Sequence, residues 1–139
     1  MRKILLLPCL FLFLTPLFIF PEVLIIANPD THISSLKNKD IQDIFTGKRT
    51  RWNGSGQIII ATLYDSEVHK EFLEQFVKKT PFQFKNYWRQ KVFTGEGMLP
   101  KTFQNEESLI EFVASTRGAV GYISAPTDKQ VRIMLINEK

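Results

Sequence analysis

The sequence predicts a single α/β domain behind an N-terminal hydrophobic segment. Branched apolar runs of strand length at 23–27, 58–61, 119–123 and 131–136 are interspersed with stretches whose apolar residues recur at helical spacing. Capping residues and glycines punctuate those stretches, as they do at helix ends. No internal repeat or low-complexity linker divides the order strand, helix, strand, three helices, two strands.

The chain has 139 residues and a formal charge of +4. Its first 21 residues hold 15 apolar side chains, with Arg2 and Lys3 as their only charges. A short positive start before an apolar run is the form of an export signal. The run is almost long enough to span a bilayer, but Pro8, Pro16 and Pro21 interrupt a continuous helix. We therefore read 1–21 as a signal and 22–139 as the domain, with no stable membrane span once the signal is removed. Cys9 lies in the signal, so the domain has no cysteine, which excludes disulfides, thiolate catalysis and cysteine metal sites. The remaining 118 residues carry 16 basic and 14 acidic side chains and 13 of the 17 aromatics, enough for one small core and too few for a multidomain machine.

The run 23–27 stops at Asn28-Pro29-Asp30 and reads as a buried strand ending in a turn. Ile41, Ile44 and Phe45 have helical spacing, with Ser34 or Ser35 as the expected cap and Gly47 as the stop. A basic, glycine-rich loop at 48–56 leads to a second buried strand at 58–61. Asp65 or Ser66 then caps a helix whose stripe is Val68, Phe72 and Phe76, widened by Leu73 and Val77. At Thr80-Pro81-Phe82-Gln83 a new helix starts, because Thr80 caps, Pro81 fits the first helical position and Gln83 reaches back to the cap amide. It carries Phe84, Tyr87, Trp88 and Lys91 towards Phe93, and a loop at 94–100 ends it. Asn105 caps a helix with a core face of Leu109, Phe112, Val113 and Thr116, closed by Gly118. The runs 119–123 and 131–136 are the last two strands.

His32 and His69 lie in separate segments, neither beside a nucleophile at a motif spacing, so no catalytic residue is assigned and no enzyme is expected. Asp65, Glu67 and His69 put two carboxylates and an imidazole within about one turn. Without a second ligand motif they read as the polar start of an amphipathic helix, and neither a metal nor a cofactor is expected. Anion binding is better founded, because a strand followed by a capped helix points free amides beyond the strand tip. Here Ser66 would donate its hydroxyl while the amides of Glu67 and Val68 face the ligand; Ser66 as a plain cap is the competing reading. Lys48 and Arg49 beside Trp52 are secondary basic candidates, set against a solvated turn pinned by a packed Trp52. Their loop lacks the glycine spacing and Lys-Ser/Thr end of a P-loop, and export makes nucleic acid an unexpected partner.

Three segments carry a resemblance. Ile44-Phe45-Thr46-Gly47-Lys48 with Trp52 and Gly54 comes first, then Tyr87-Trp88 with Phe93-Thr94-Gly95-x-Gly97-x-x-Pro100, then Arg117-Gly118-Ala119-Val120-Gly121-Tyr122-Ile123. In this order they resemble the phosphate ABC transporter substrate-binding proteins (PstS-like, with a PBP-like domain of periplasmic binding protein type II), and especially their short, signal-bearing relatives. The resemblance runs over about 23–125 and implies a single lobe of that fold, a mixed sheet flanked by helices, with 23–27 and 118–123 as the strands that enter and leave it. In full-length members two lobes close on phosphate. Their Arg…Ser-Gly-Thr anion motif is replaced here by Leu63-Tyr64-Asp65-Ser66-Glu67-Val68, which keeps only Ser66. The resemblance thus implies a periplasmic domain that binds phosphate or another small oxyanion in association with an ABC importer. The alternative is an interaction module with an envelope protein partner. Phe82, Phe84, Tyr87, Trp88 and Phe93 could supply its surface, although most of them are expected in the core.

Overall fold

The computed structural model describes residues 22–53 and 55–138, together with Lys3. The expected signal, Lys3 apart, lies outside the described residues, and none of the described helices is long and apolar enough to cross a membrane. In chain order the elements are β1 (Leu24–Ala27), β2 (Ser35–Lys37), α1 (Asn38–Phe45), β3 (Arg51–Trp52), β4 (Ser55–Gln57) and β5 (Ile59–Leu63). Then come α2 (Glu67–Phe72), which runs into a π-helical turn (Leu73–Val77), α3 (Pro81–Phe93), β6 (Lys101–Phe103), α4 (Glu106–Ser115), β7 (Ala119–Ile123), β8 (Arg132–Ile133) and β9 (Leu135–Asn137).

The branched apolar runs form the middle of a five-stranded sheet in the order β6-β5-β7-β1-β8. β5 runs parallel to β6 and β7, whereas β1 is antiparallel to β7 and β8, so the sheet is mixed. Two small pairs lie beside it, β2 with β9 and β3 with β4. Successive strand residues face opposite sides, and β7 uses both. Gly121 faces α4, where an added Cβ would stand 2.9 Å from Leu109. Tyr122 faces the other layer, with its ring stacked on Phe72 of α2 at 3.9 Å between centroids. Phe72 in turn meets Phe45 of α1 edge-on at 4.6 Å. Helices therefore cover both faces of the sheet, and its central strands are buried on both sides, which explains their unbroken apolar runs. Each fully buried large side chain in this core contributes about 1.5–3 kcal/mol of transfer free energy.

Two residues hold the joints. Asn28, buried where β1 ends, donates from Nδ2 to the carbonyls of Val113 (2.9 Å) and Ala114 (3.2 Å), satisfying the end of α4 from the sheet. Gly118 has φ +83°, and an added Cβ would lie 2.2 Å from the Gln57 carbonyl oxygen, so only glycine fits where α4 turns into β7.

The structure corrects the expected start of α1. Neither Ser34 nor Ser35 caps it, because 35–37 is extended as β2, paired with β9 about a hundred residues further along the chain. The helix begins at Asn38, and the Asp40 carboxylate accepts the Lys37 amide at 3.0 Å. The expected strand at 131–136 is two strands. Met134 is buried between them, its amide donating to Ile25 (2.9 Å) while that of Leu135 donates to Ser34 (2.9 Å), so the chain passes from the main sheet to the β2 pair. Inside the expected basic loop, β3 and β4 pair, and β6 adds an edge strand where a loop exit was expected. The strand expected at 58–61 extends to Leu63.

Candidate functional site

β5 delivers the chain to a turn at Tyr64 and Asp65, and Ser66 opens α2. Ser66 is extended (φ −150°, ψ 161°), and its Oγ accepts the His69 amide at 3.2 Å, so it is the helix cap. A hydroxyl that accepts still carries its own proton, and the cap role leaves Ser66 able to donate outward. The amides of Glu67 and Val68, the first of the helix, have no acceptor within it. The Glu67 side chain is exposed, while that of Val68 belongs to the core.

Asp65 and His69, on either side of Ser66 in the chain, line a cleft of about 610 Å³, whereas Ser66, Glu67 and Val68 are not part of its lining. Its floor is the sheet face of β5 and β6, where the register sets Thr62 beside Thr102; Thr62 Oγ1 donates to the Lys101 carbonyl (3.3 Å) and lies 3.4 Å from Thr102 Oγ1. One wall is the β5–α2 turn. The other is α3, whose helical period turns Pro81, Phe84, Lys85, Trp88 and Arg89 to the same side. Leu99 and Pro100 form the lip. Lys85 and Arg89 are exposed and, among the described residues, form no ion pair, so two cations face a single carboxylate, Asp65.

His69 is held from behind. Its Nδ1 is hydrogen-bonded to the Tyr122 hydroxyl, which itself accepts the Leu63 amide at 2.9 Å. Burial lowers the imidazole from its usual 6.5 to about 4, with Asp65 pulling the other way. Burial also pushes the Tyr122 phenol up, against the effect of the Leu63 hydrogen bond. The phenol keeps its proton and the ring is neutral; with Tyr122 as the donor to Nδ1, the ring's own proton sits on Nε2, a donor on a residue that lines the cleft. Among the described residues no group of three or more His, Cys, Asp or Glu side chains converges as metal ligands would.

Lys48 and Arg49 are not brought to this cleft. Lys48 is exposed, whereas Arg49 lies 3.7 Å from the Asp40 carboxylate, donates to Asn53 Oδ1 at 3.2 Å and sits 5.8 Å above the Trp52 ring. Trp52 is buried and donates to the Gly118 carbonyl at 3.0 Å, pinning the turn. The cations of the cleft are instead Lys85 and Arg89, which sequence reasoning passed over. Their four-residue spacing around the buried Trp88 was the available signal, but it marks a helix face and not what that face opposes. A second cleft, of about 540 Å³, lies at the amino ends of β5 and β7; there Arg117 and Asp30 pair at 3.7 Å and the Thr31 hydroxyl is buried.

No protein-family profile matches the chain, and no curated protein matches it in sequence. Solved structures do match its fold. A protein from Clostridium perfringens, described as a phosphate ABC transporter substrate-binding protein with bound phosphate, superposes at TM-score 0.65 and 21% identity, over 82% of this chain and 44% of that one. PstS from Borrelia burgdorferi gives TM-score 0.65 at 14% identity, over 83% of this chain and 47% of that one. An ABC-type phosphate transport receptor from Vibrio cholerae gives TM-score 0.59 at 16% identity, over 82% and 45%. The described chain thus has the fold of one lobe of a phosphate-type periplasmic binding protein, as the sequence resemblance implied. It spans less than half the length of each of these structures.

Proposed function

We propose that the protein is an exported solute-binding lobe that takes phosphate or another small oxyanion at the start of α2, in the periplasm and in association with ABC-type phosphate import. The observation that carries this reading is the junction of β5 and α2. Ser66 caps the helix yet keeps a proton to donate, beside two amides without helical acceptors, and its neighbours in the chain, Asp65 and His69, line a cleft with an excess of cations. Support comes also from the fold, which is shared with proteins whose descriptions name phosphate. Such a half-cleft leaves one side of the ion in water, so affinity would be low unless a second lobe or partner closes over it. Titration calorimetry of the purified protein with inorganic phosphate should give saturable heat at millimolar concentrations. Ser66→Gly should weaken it at least about fivefold, since glycine caps almost as well as serine but offers no hydroxyl. An absence of heat at millimolar phosphate would overturn the reading.

A second reading, an envelope interaction module, rests on exposed apolar side chains. Of the five aromatics at 82–93, Phe84 and Trp88 are buried and Tyr87 is half-buried, but Phe82 is 72% and Phe93 91% exposed, with Met98 and Leu99 exposed nearby in sequence. Pull-down from an envelope extract is its test, and a clean monomer without partners would count against it.

A further inference from the structure

We infer that the cleft selects an organic phosphate, a monoester with an aromatic or branched aliphatic substituent, over the bare ion; this rests on the oxyanion reading above and deepens it. A bare phosphate ion is polar on every side and gains nothing from apolar walls. The cleft has many such walls. Its volume of about 610 Å³ falls in the range of sites that enclose organic ligands. Three large apolar side chains on its lining are left more than half exposed, Phe82 at 72%, Leu99 at 58% and Tyr64 at 57%, while Phe84 and Trp88 close it from within. Apolar side chains exposed singly are ordinary, but three of them around one cavity form a patch of the kind that a ligand covers.

The polar groups of the same lining suit the other end of such a ligand. Lys85 and Arg89 provide charge, with the guanidinium able to grip two phosphate oxygens at once, and His69 Nε2–H provides a neutral donor held by Tyr122. Asp65 on the same lining offers acceptor oxygens to a protonated phosphate oxygen. The substituent lies along Phe82, Tyr64 and Leu99, and each aromatic face it covers adds affinity that inorganic phosphate does not collect.

The test is a calorimetric comparison of inorganic phosphate, phenyl phosphate and phenol on the purified protein. Phenyl phosphate should bind at least about tenfold tighter than inorganic phosphate, with phenol alone giving no measurable heat. Phe82→Ala should narrow the gap between the two phosphates. The substitution is safe for the fold, because Phe82 is exposed in the first turn of α3. Arg89→Gln should weaken phenyl phosphate about tenfold, a loss that a purely apolar pocket would not show. If inorganic phosphate binds and phenyl phosphate binds no tighter, this inference falls while the oxyanion reading stands. If neither ligand binds, both fall. Phenol binding as tightly as its phosphate would also overturn the inference, by making the cleft an apolar pocket.

Discussion

His69 is where chemistry and folding meet in one side chain. Folded, its ring stays neutral down to about pH 4, whereas an unfolded histidine takes up a proton near 6.5. Between those values the unfolded chain binds more protons, so stability is full above about 6.5 and falls as the pH drops towards 4. The loss from this residue is at most about 3 kcal/mol. Urea unfolding at pH 7 and pH 4.5 should show it, and His69→Gln should lose less stability over that interval; an equal loss in both proteins would place the effect elsewhere. Gly118 makes a second prediction at this scale. A methyl group there meets the Gln57 carbonyl and forces a side chain onto positive φ, so Gly118→Ala should cost at least about 2 kcal/mol by thermal or denaturant unfolding. Gly118 was legible in the sequence as a helix terminator. The tie between His69 and Tyr122 was not, because 53 residues separate them.

At the scale of elements, the ends that local chemistry controls were the legible ones. Thr80 accepts the Gln83 amide at 3.1 Å while the Gln83 side chain accepts the Thr80 amide at 3.0 Å, the reciprocal pair that the motif implied. Asn105 likewise accepts the Ser108 amide at 2.9 Å. Thr80→Ala should therefore cost about 1 kcal/mol, and so should Asn105→Ala, each measured as a shift of the denaturant midpoint with unchanged slope. A loss above about 3 kcal/mol in either would mean that the cap holds more than its helix. The start of α1 shows the opposite case. Ser34 and Ser35 are good caps by type, but a parallel partner at β9 draws 35–37 into extended backbone, and propensity yields to that pairing. The split at Met134 has the same origin, since its two halves answer to different strands.

Over the whole molecule, the last strands close the sheet beside β1 and tie β2 into place. Ending the chain after Ser124 would remove β8, β9 and the buried Met134, and strip β1 of its outer neighbour. Such a chain should melt on the order of 10 °C lower, as read by calorimetry. It should also exchange the amides of β1 faster, and unchanged melting would show that β8 and β9 are decorative. Length, the apolar runs, the helical stripes, the caps and the order of the three motifs were enough to determine a single α/β lobe with a mixed sheet flanked by helices, because each of these is written within a few neighbouring residues. Only the tertiary structure decided that Lys85 and Arg89, not Lys48 and Arg49, share a cleft with Asp65 and His69, and that Arg49 is occupied by Asp40 and Asn53. A helical period reveals that a face exists; which strand or turn that face opposes depends on contacts between residues far apart in the chain, and no local pattern records them.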